Sequence, residues 1–268
     1  VRRKIAAQSP EKTDIISKQN QFLMRNLLIF MFLVGVFVIG KSSCNNFSWV
    51  FGGVSGTGPV KTETRNVSNF NAINLEMPAD VEVTIGEQFF VEVTTQENLL
   101  PILKTYVEDG VLQIHADQNI RSSKEMTIRI TAPTFEKFSV SGSGSIQIAN
   151  AIQAEKMSLN IAGSGDIISQ QSAFSELQTS IAGSGTIELG GKANDMKADI
   201  SGSGDIKAKS LTTNNLKVSI SGSGTVTADV VAELDASISG SGDVFYTGSP
   251  SVQTSVGGSG SVKKLEVQ

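Results

Sequence analysis

The chain has 268 residues, of which 39% are hydrophobic, 18% charged and 6% aromatic, with 26 Gly, one Cys and one His. Its net charge of −4 excludes a protein held on nucleic acid or anionic lipid by a positive field. A single Cys excludes an intramolecular disulfide framework and a Cys-rich zinc site, and a single His excludes any site that needs two.

Residues 1–23 are polar and read as an extension ahead of a true start at Met24. Met24-Arg25-Asn26 leads into an apolar run from Leu27 to Gly40, shorter than the roughly 20 residues that a membrane-spanning helix needs. A basic start, a short apolar run and small residues after it predict a secretory signal peptide over 24–44, with a cytoplasmic tail and signal anchor as the alternative. Lys41-Ser42-Ser43-Cys44 resembles a bacterial lipoprotein cleavage site, with Cys44 as the lipidated residue, although Lys41 stands where such sites carry an aliphatic side chain. The signal peptide or that lipid is the only membrane connection expected. Residues 45–56 read as a tether, and 57–268 as one domain.

Residues 57–135 alternate as strands do. Val81, Val83 and Ile85 form one set, Val91 and Val93 a second, Leu112 and Ile114 a third, Ile128 and Ile130 a fourth. Gly86 and Asp109-Gly110 mark turns. Glu97–Leu103 reads as a helical turn or an irregular insertion, since Pro101 prevents a long helix. The segment is expected to form irregular first coils that cap the rest of the domain, because terminal repeats of solenoids are atypical.

From Gly142 onward a Gly-Ser-Gly triplet recurs seven times, starting at Gly142, Gly163, Gly183, Gly202, Gly222, Gly240 and Gly258. Two residues before it stand Val140, Ile161, Ile181, Ile200, Ile220, Ile238 and Val256; two after its second Gly stand Ile146, Ile167, Ile187, Ile206, Val226, Val244 and Val262. Four residues before the first of these columns lie Met157, Leu177, Met196, Leu216, Leu234 and Val252. Apolar residues spaced by two, repeated about every 20 residues, predict an all-β fold: a parallel β-helix whose turns share one core. A β-propeller needs blades of about 40 residues. The fixed glycines mark a bend, or a place where walls approach too closely for a Cβ; the sequence leaves both open.

Just after each triplet stand Ser145, Asp166, Thr186, Asp205, Thr225, Asp243 and Ser261. Asp alternates with hydroxyl residues and is never its own neighbour. With the triplet serines Ser143, Ser164, Ser184, Ser203, Ser223 and Ser241, the residues Asp166, Asp205 and Asp243 form a candidate binding ladder. The plainer reading is a solvated ladder spaced against self-repulsion, at about 10 Å between carboxylates. No metal is expected, since calcium wants 6–8 clustered oxygens. At the far end Lys263 and Lys264 either guard an open strand edge, or that edge is a homodimer interface.

These residues together resemble a family. The signal peptide ending near Cys44, the stretch SGTGPVKTETRNVSNFNAINL (55–75), then ADVEVTIG, ENLLPILKT, VLQIHA, ITAPTFEKFSVSGSGSI and the serial triplets are similar to bacterial head GIN-domain proteins, described as adhesin head domains of autotransporters and common in Bacteroidota. The resemblance spans roughly 54–268. It implies a right-handed parallel β-helix at the cell envelope and no established activity. An autotransporter would continue into a membrane barrel; here a lipid on Cys44 is the expected anchor.

Catalysis is tested and not supported. β-Helical glycan lyases and hydrolases need close carboxylates, alone or with Arg or Lys, whereas Arg is absent after Arg129. Seven equivalent serines lack the base a nucleophile needs. His115, after an inward Ile114, is expected to face solvent. No phosphate loop precedes a helix, and no cofactor is expected. The expected function is a non-enzymatic adhesin or binding scaffold at the cell surface, with a glycan or an envelope protein as partner and no nucleic acid. A polysaccharide-active enzyme and a periplasmic scaffold partner of a membrane protein are the alternatives.

Overall fold

The fold comes from a computed structural model whose described residues are 52–266. Cys44, the signal peptide, residues 1–23 and most of the tether lie outside them. Nine strands precede the repeats: β1 (Val54–Ser55), β2 (Val60–Arg65), β3 (Ala72–Leu75), β4 (Asp80–Ile85), β5 (Phe90–Gln96), β6 (Leu103–Glu108), β7 (Val111–Ala116), β8 (Ile120–Ser122) and β9 (Met126–Ala132). The repeats form β10 (Lys137–Gly142), β11 (Ser145–Ile148), β12 (Ile152–Gly163), β13 (Asp166–Gly183), β14 (Thr186–Gly202), β15 (Asp205–Gly222), β16 (Thr225–Gly240), β17 (Asp243–Gly248), β18 (Ser251–Gly258) and β19 (Ser261–Lys264). No helix occurs among the described residues.

The repeat region is a β-solenoid of about six turns spaced by about 20 residues. Every pairing within it is parallel. The triplets stack in register, Gly142 on Gly163, Gly183, Gly202, Gly222, Gly240 and Gly258. The long strands are not straight. In β13 burial alternates until the consecutive exposed pairs Gln170-Gln171 and Ser175-Glu176, where the phase resets. A phase reset is a corner, because alternation means one face stays inward. Each turn therefore has three walls: wall A after the triplet (166–169 in β13), wall B (172–174) and wall C (176–182), with the triplet joining C to the next A.

The predicted columns are the core, except for their last members Val252, Val256 and Val262. Ile146, Ile167, Ile187, Ile206, Val226 and Val244 have no exposed surface, and Ile161, Ile181, Ile200, Ile220 and Ile238 are at most 2% exposed. Each such side chain contributes roughly 1.5–3 kcal/mol on burial, and β-branched residues fit the pleat with little loss of rotamer freedom. The inward hydroxyls are satisfied locally: Ser169 and Ser172 share a hydrogen bond of 2.9 Å, and Thr179 donates to the Lys197 carbonyl at 3.1 Å.

The glycines answer the question left open by the sequence: both readings hold, together at the first glycine of each triplet from Gly163 onward, and close approach alone at the second. The first Gly is left-handed, with φ +135° at Gly163 and +134° at Gly183. The second is not, but a Cβ on Gly185 would overlap the Gly165 carbonyl oxygen closely.

The cap departs from the expected run of irregular coils. β3 and β4 do stack in parallel beneath β10 and β11, and β7 and β9 continue the stack beneath β3 and β4. Below that the sheet turns antiparallel, with β6 on β7, and β5 on β9 followed by β2. The physical reason is connection length. An antiparallel neighbour needs only a tight turn, and Asp109-Gly110, with φ +49° and +77°, makes the two-residue hairpin between β6 and β7. Glu97–Ile102 is a turn segment rather than a helix. Phe70, Phe135 and Phe138 pack together inside the cap, with ring centroids 6.2 and 5.1 Å apart along the chain of contacts. Val54 and Ser55, within the expected tether, pair with β8.

Two glycines with the same backbone and different neighbours test this account. Gly183→Ala combines a left-handed φ with a Cβ position closely overlapping the Gly163 carbonyl; Gly142→Ala has φ +113° and nothing within 4 Å of its Cβ. Both should lose about 1–3 kcal/mol to backbone strain. Gly183→Ala should lose measurably more in equilibrium urea unfolding; equal losses would refute the close-approach role.

Candidate functional site

The outward columns of walls A and C are where the sequence places candidate chemistry. Ser143, Ser164, Ser184, Ser203, Ser223 and Ser241 all lie exposed at the tip of the triplet corner. Their backbones are tied down: the N–H groups of Ser164, Ser184, Ser203, Ser223 and Ser241 each donate at 2.8 Å to the carbonyl of the first Gly one rung below. The hydroxyls remain presented to solvent at a repeat set by the inter-strand spacing, about 4.8 Å.

Asp166, Asp205 and Asp243 are half-buried on wall A, in one file with the hydroxyl residues. The file extends two rungs further than the sequence reading found, through Asp80 to Thr127. Its register is Thr127, Asp80, Ser145, Asp166, Thr186, Asp205, Thr225, Asp243, Ser261. Asp80 escaped notice because Met77-Pro78-Ala79 replaces the triplet before it; the signal was the pair Asp80-Val81, which matches Asp166-Ile167, Asp205-Ile206 and Asp243-Val244. Alternation separates the charges and also supplies donors. Ser145 Oγ donates to Asp80 Oδ1 at 2.7 Å, and Ser261 Oγ to Asp243 Oδ1 at 2.5 Å. The file is thus partly self-satisfied, which leaves it less free to bind a ligand than the triplet serines.

Wall C carries a different surface. Next to the triplet its outward side chains are short, and most are Ser, Ala or Gly. One file reads Ser139, Asn160, Ser180, Asp199, Ser219, Ser237, Ser255; the next reads Ser141, Ala162, Ala182, Ser201, Ser221, Ser239, Gly257. With the triplet serines they form three adjacent files on one flat strip. At the other edge of wall C the side chains lengthen and carry charge. Glu176, Asp195, Asn215 and Glu233 are in register, beside Gln178, Lys197, Lys217 and Asp235. Together they line a groove of about 440 Å³ parallel to the stacking direction.

Its charges are mostly paired. Lys197 Nζ lies 2.6 Å from Asp199 Oδ2, Lys217 Nζ 3.6 Å from Asp235 Oδ2, and Asn215 Nδ2 donates to Asp195 Oδ1 at 2.7 Å. Lys156 closes the row on Glu176 at 3.0 Å, and the hydrogen bond to that carboxylate holds its ammonium above the usual lysine range. Sequence reading missed the groove because, apart from Lys197 and Lys217, its charged and polar residues share a register but no identity from rung to rung.

His115 lies in the cap, half-exposed. It meets Tyr106 edge-on at 5.6 Å between centroids, and its Nε2 is 3.7 Å from Asp117 Oδ1. It lines a separate cavity of about 470 Å³ with Arg65, Lys104, Thr105 and Tyr106. Among the described residues no group of three or more His, Cys, Asp or Glu is placed to hold a metal ion.

With the geometry in place, a family model described as "Putative auto-transporter adhesin, head GIN domain" matches residues 69–250. The chain belongs to the head GIN family. Solved structures carry the same fold. A "putative adhesin" from Bacteroides fragilis is 26% identical with a TM-score of 0.74, covering 80% of this chain and 100% of its own. A "putative lipid binding protein" from Parabacteroides distasonis is 25% identical with a TM-score of 0.65, covering 80% and 99%. A "putative adhesin" from Parabacteroides merdae, at 22% identity and TM-score 0.66, shows the fold alone, covering 80% and 99%. Among curated proteins nothing matches the chain.

The head GIN ladder of wall A is open to a direct test. Thr225→Asp would place three carboxylates on successive rungs. Like charges directly opposite cost about 0.2–1 kcal/mol. The repulsion raises the folded-state pKa of these groups. The penalty should therefore be present at neutral pH, shrink as pH falls through the folded pKa, and vanish below the unfolded one, about 3.9. Unfolding at pH 7 and pH 3.5, with and without 1 M salt, checks this; a penalty independent of both would rule out a charge origin.

Proposed function

We propose that this head GIN chain is a non-enzymatic binding solenoid of the cell envelope that holds an extended polar polymer, in the first instance a glycan chain, along wall C. The observation that carries the proposal is the flat strip of three small-residue files beside the charged groove. Ser and Ala have little rotamer freedom to lose on contact, so many weak contacts can add without a large ordering cost. A regular file also offers the same hydroxyl at every rung, and a polymer that engages several rungs gains by effective concentration. The adhesin names of the family and of its relatives support this reading. Lipidation at Cys44 would hold the solenoid at the envelope, facing outward.

The test is a panel of soluble polysaccharides and their fragments of graded length, measured by calorimetry or surface binding. Affinity should climb steeply with chain length. Ser201→Glu with Ser221→Glu, two exposed positions on adjacent rungs, should weaken binding about tenfold or more, the equivalent of two neutral hydrogen bonds lost, while leaving the fold intact by circular dichroism. A monosaccharide that binds as tightly as its polymer would remove the multivalent mechanism, and release of reducing ends would remove the non-enzymatic one. For location, a protease added to intact cells should digest the tagged protein. Protection until lysis would favour a periplasmic scaffold instead.

A further inference from the structure

We infer that the outer edge of β18 is a self-pairing surface, and that two copies of this chain join there, wall C to wall C, about a two-fold axis through Thr254. The last rung is unlike the others. Val252 and Val256 continue the inward columns of Leu234 and Ile238, yet they are 40% and 43% exposed against 0% and 2%. Among the described residues β18 pairs only with β16, and β19 only with β17. The two ends of the stack are not equivalent: the other finishes on β2 and β6, each paired on one side only, and both carry edge-guarding charges, Lys61, Glu63 and Arg65 on β2 and Lys104 and Glu108 on β6. The uncharged edge of β18 therefore matches a second β18 better than the charged far end, and a joint of two such edges is isologous.

The charge pattern favours a second copy as occupant. Files that carry charge on earlier rungs become neutral on the last. Glu176, Asp195 and Glu233 give way to Ser251, and Lys197, Lys217 and Asp235 give way to Gln253. All eight residues of β18 are uncharged and none is Pro. An edge of that kind lacks the devices that keep strands apart. On wall A the same rung keeps Lys263 and Lys264 in β19. A two-fold normal to wall C carries wall A of one copy over wall B of the other, so the lysines of the two copies do not meet.

The register follows from the side chains. Opposed residues of an antiparallel pair lie on the same face, so inward Val252, Thr254 and Val256 must meet inward residues. Placing Thr254 opposite Thr254 sets Val252 against Val256 on both sides, and the two cores become continuous. A pairing centred on Ser255 would instead set Val252 against Gly258 and leave the valines unmatched.

The test is site-specific cross-linking of the full chain with Cys44→Ser, so that one thiol remains. Opposed Cα atoms at 4.5–5.5 Å fall within the disulfide range. Thr254→Cys should form a covalent dimer under mild oxidation on the order of a hundredfold faster than Ser184→Cys, an exposed triplet position away from the edge. A second variant guards against misfolding: Gln253→Lys with Ser255→Lys, both facing outward, should set like charges around the axis and return the light-scattering mass from twice the 28.3 kDa chain to one chain, with unchanged circular dichroism. Equal cross-linking rates at the two positions, or a mass unchanged by the lysines, would overturn the joint.

Discussion

Backbone touching backbone at one corner governs this molecule. Parallel rungs lie about 4.8 Å apart wherever they hydrogen-bond, and the triplet corner holds that spacing through a reversal of direction. There a Cβ on Gly222 would overlap the Gly202 carbonyl closely, and one on Gly224 would sit 2.5 Å from that of Gly204. Any side chain at these positions would wedge the rungs apart and break the ladder on both flanking walls. The buried Ile and Val columns supply the driving force for stacking, while the glycines decide that stacking is geometrically allowed.

The same constraint shapes the candidate surface. Since the corner fixes the pitch, outward side chains become files whether or not their identities repeat. Where identity repeats, as in the triplet serines, the result is a uniform strip. Where it does not, as at Glu176, Asp195, Asn215 and Glu233, the result is a groove of mixed charge with its own internal pairs. Wall A illustrates the cost of carrying charge in a file: Asp205 is tolerated because Thr186 and Thr225 flank it. The seven triplet serines therefore offer a ligand less competition than Asp80 and Asp243, which already accept from neighbouring hydroxyls.

The repeats were legible because each rung solves the same problem with the same residues, so Ile167, Ile187 and Ile206 announce one buried column. The cap was less legible. β3 and β4 occupy a full rung, but Met77-Pro78-Ala79 replaces the triplet; the close approach at Gly144 persists in space, where a Cβ would sit 2.5 Å from the Met77 carbonyl oxygen, and has no signature in letters. The strand order is also hidden, since β4 sits between β11 and β9 while β5 to β8 intervene along the chain. The groove escaped for the opposite reason: Lys197 and Lys217 acquire meaning only once register aligns them with the acidic file beside them. His115 was expected to face solvent and is half-covered by Tyr106, because the antiparallel β6 lies across β7.

The file that runs from Thr127 through Asp80 to Ser261 has a parity that the fold itself lacks. Geometrically each turn is interchangeable with the next, so a turn could be duplicated or lost with the walls intact. Chemically the unit is two turns, one with a carboxylate and one with a hydroxyl. Losing a single turn would bring two carboxylates or two hydroxyls together; losing two would leave the alternation whole. The length of such a solenoid can therefore change most easily in steps of two turns, a bookkeeping rule written in the surface chemistry rather than in the core.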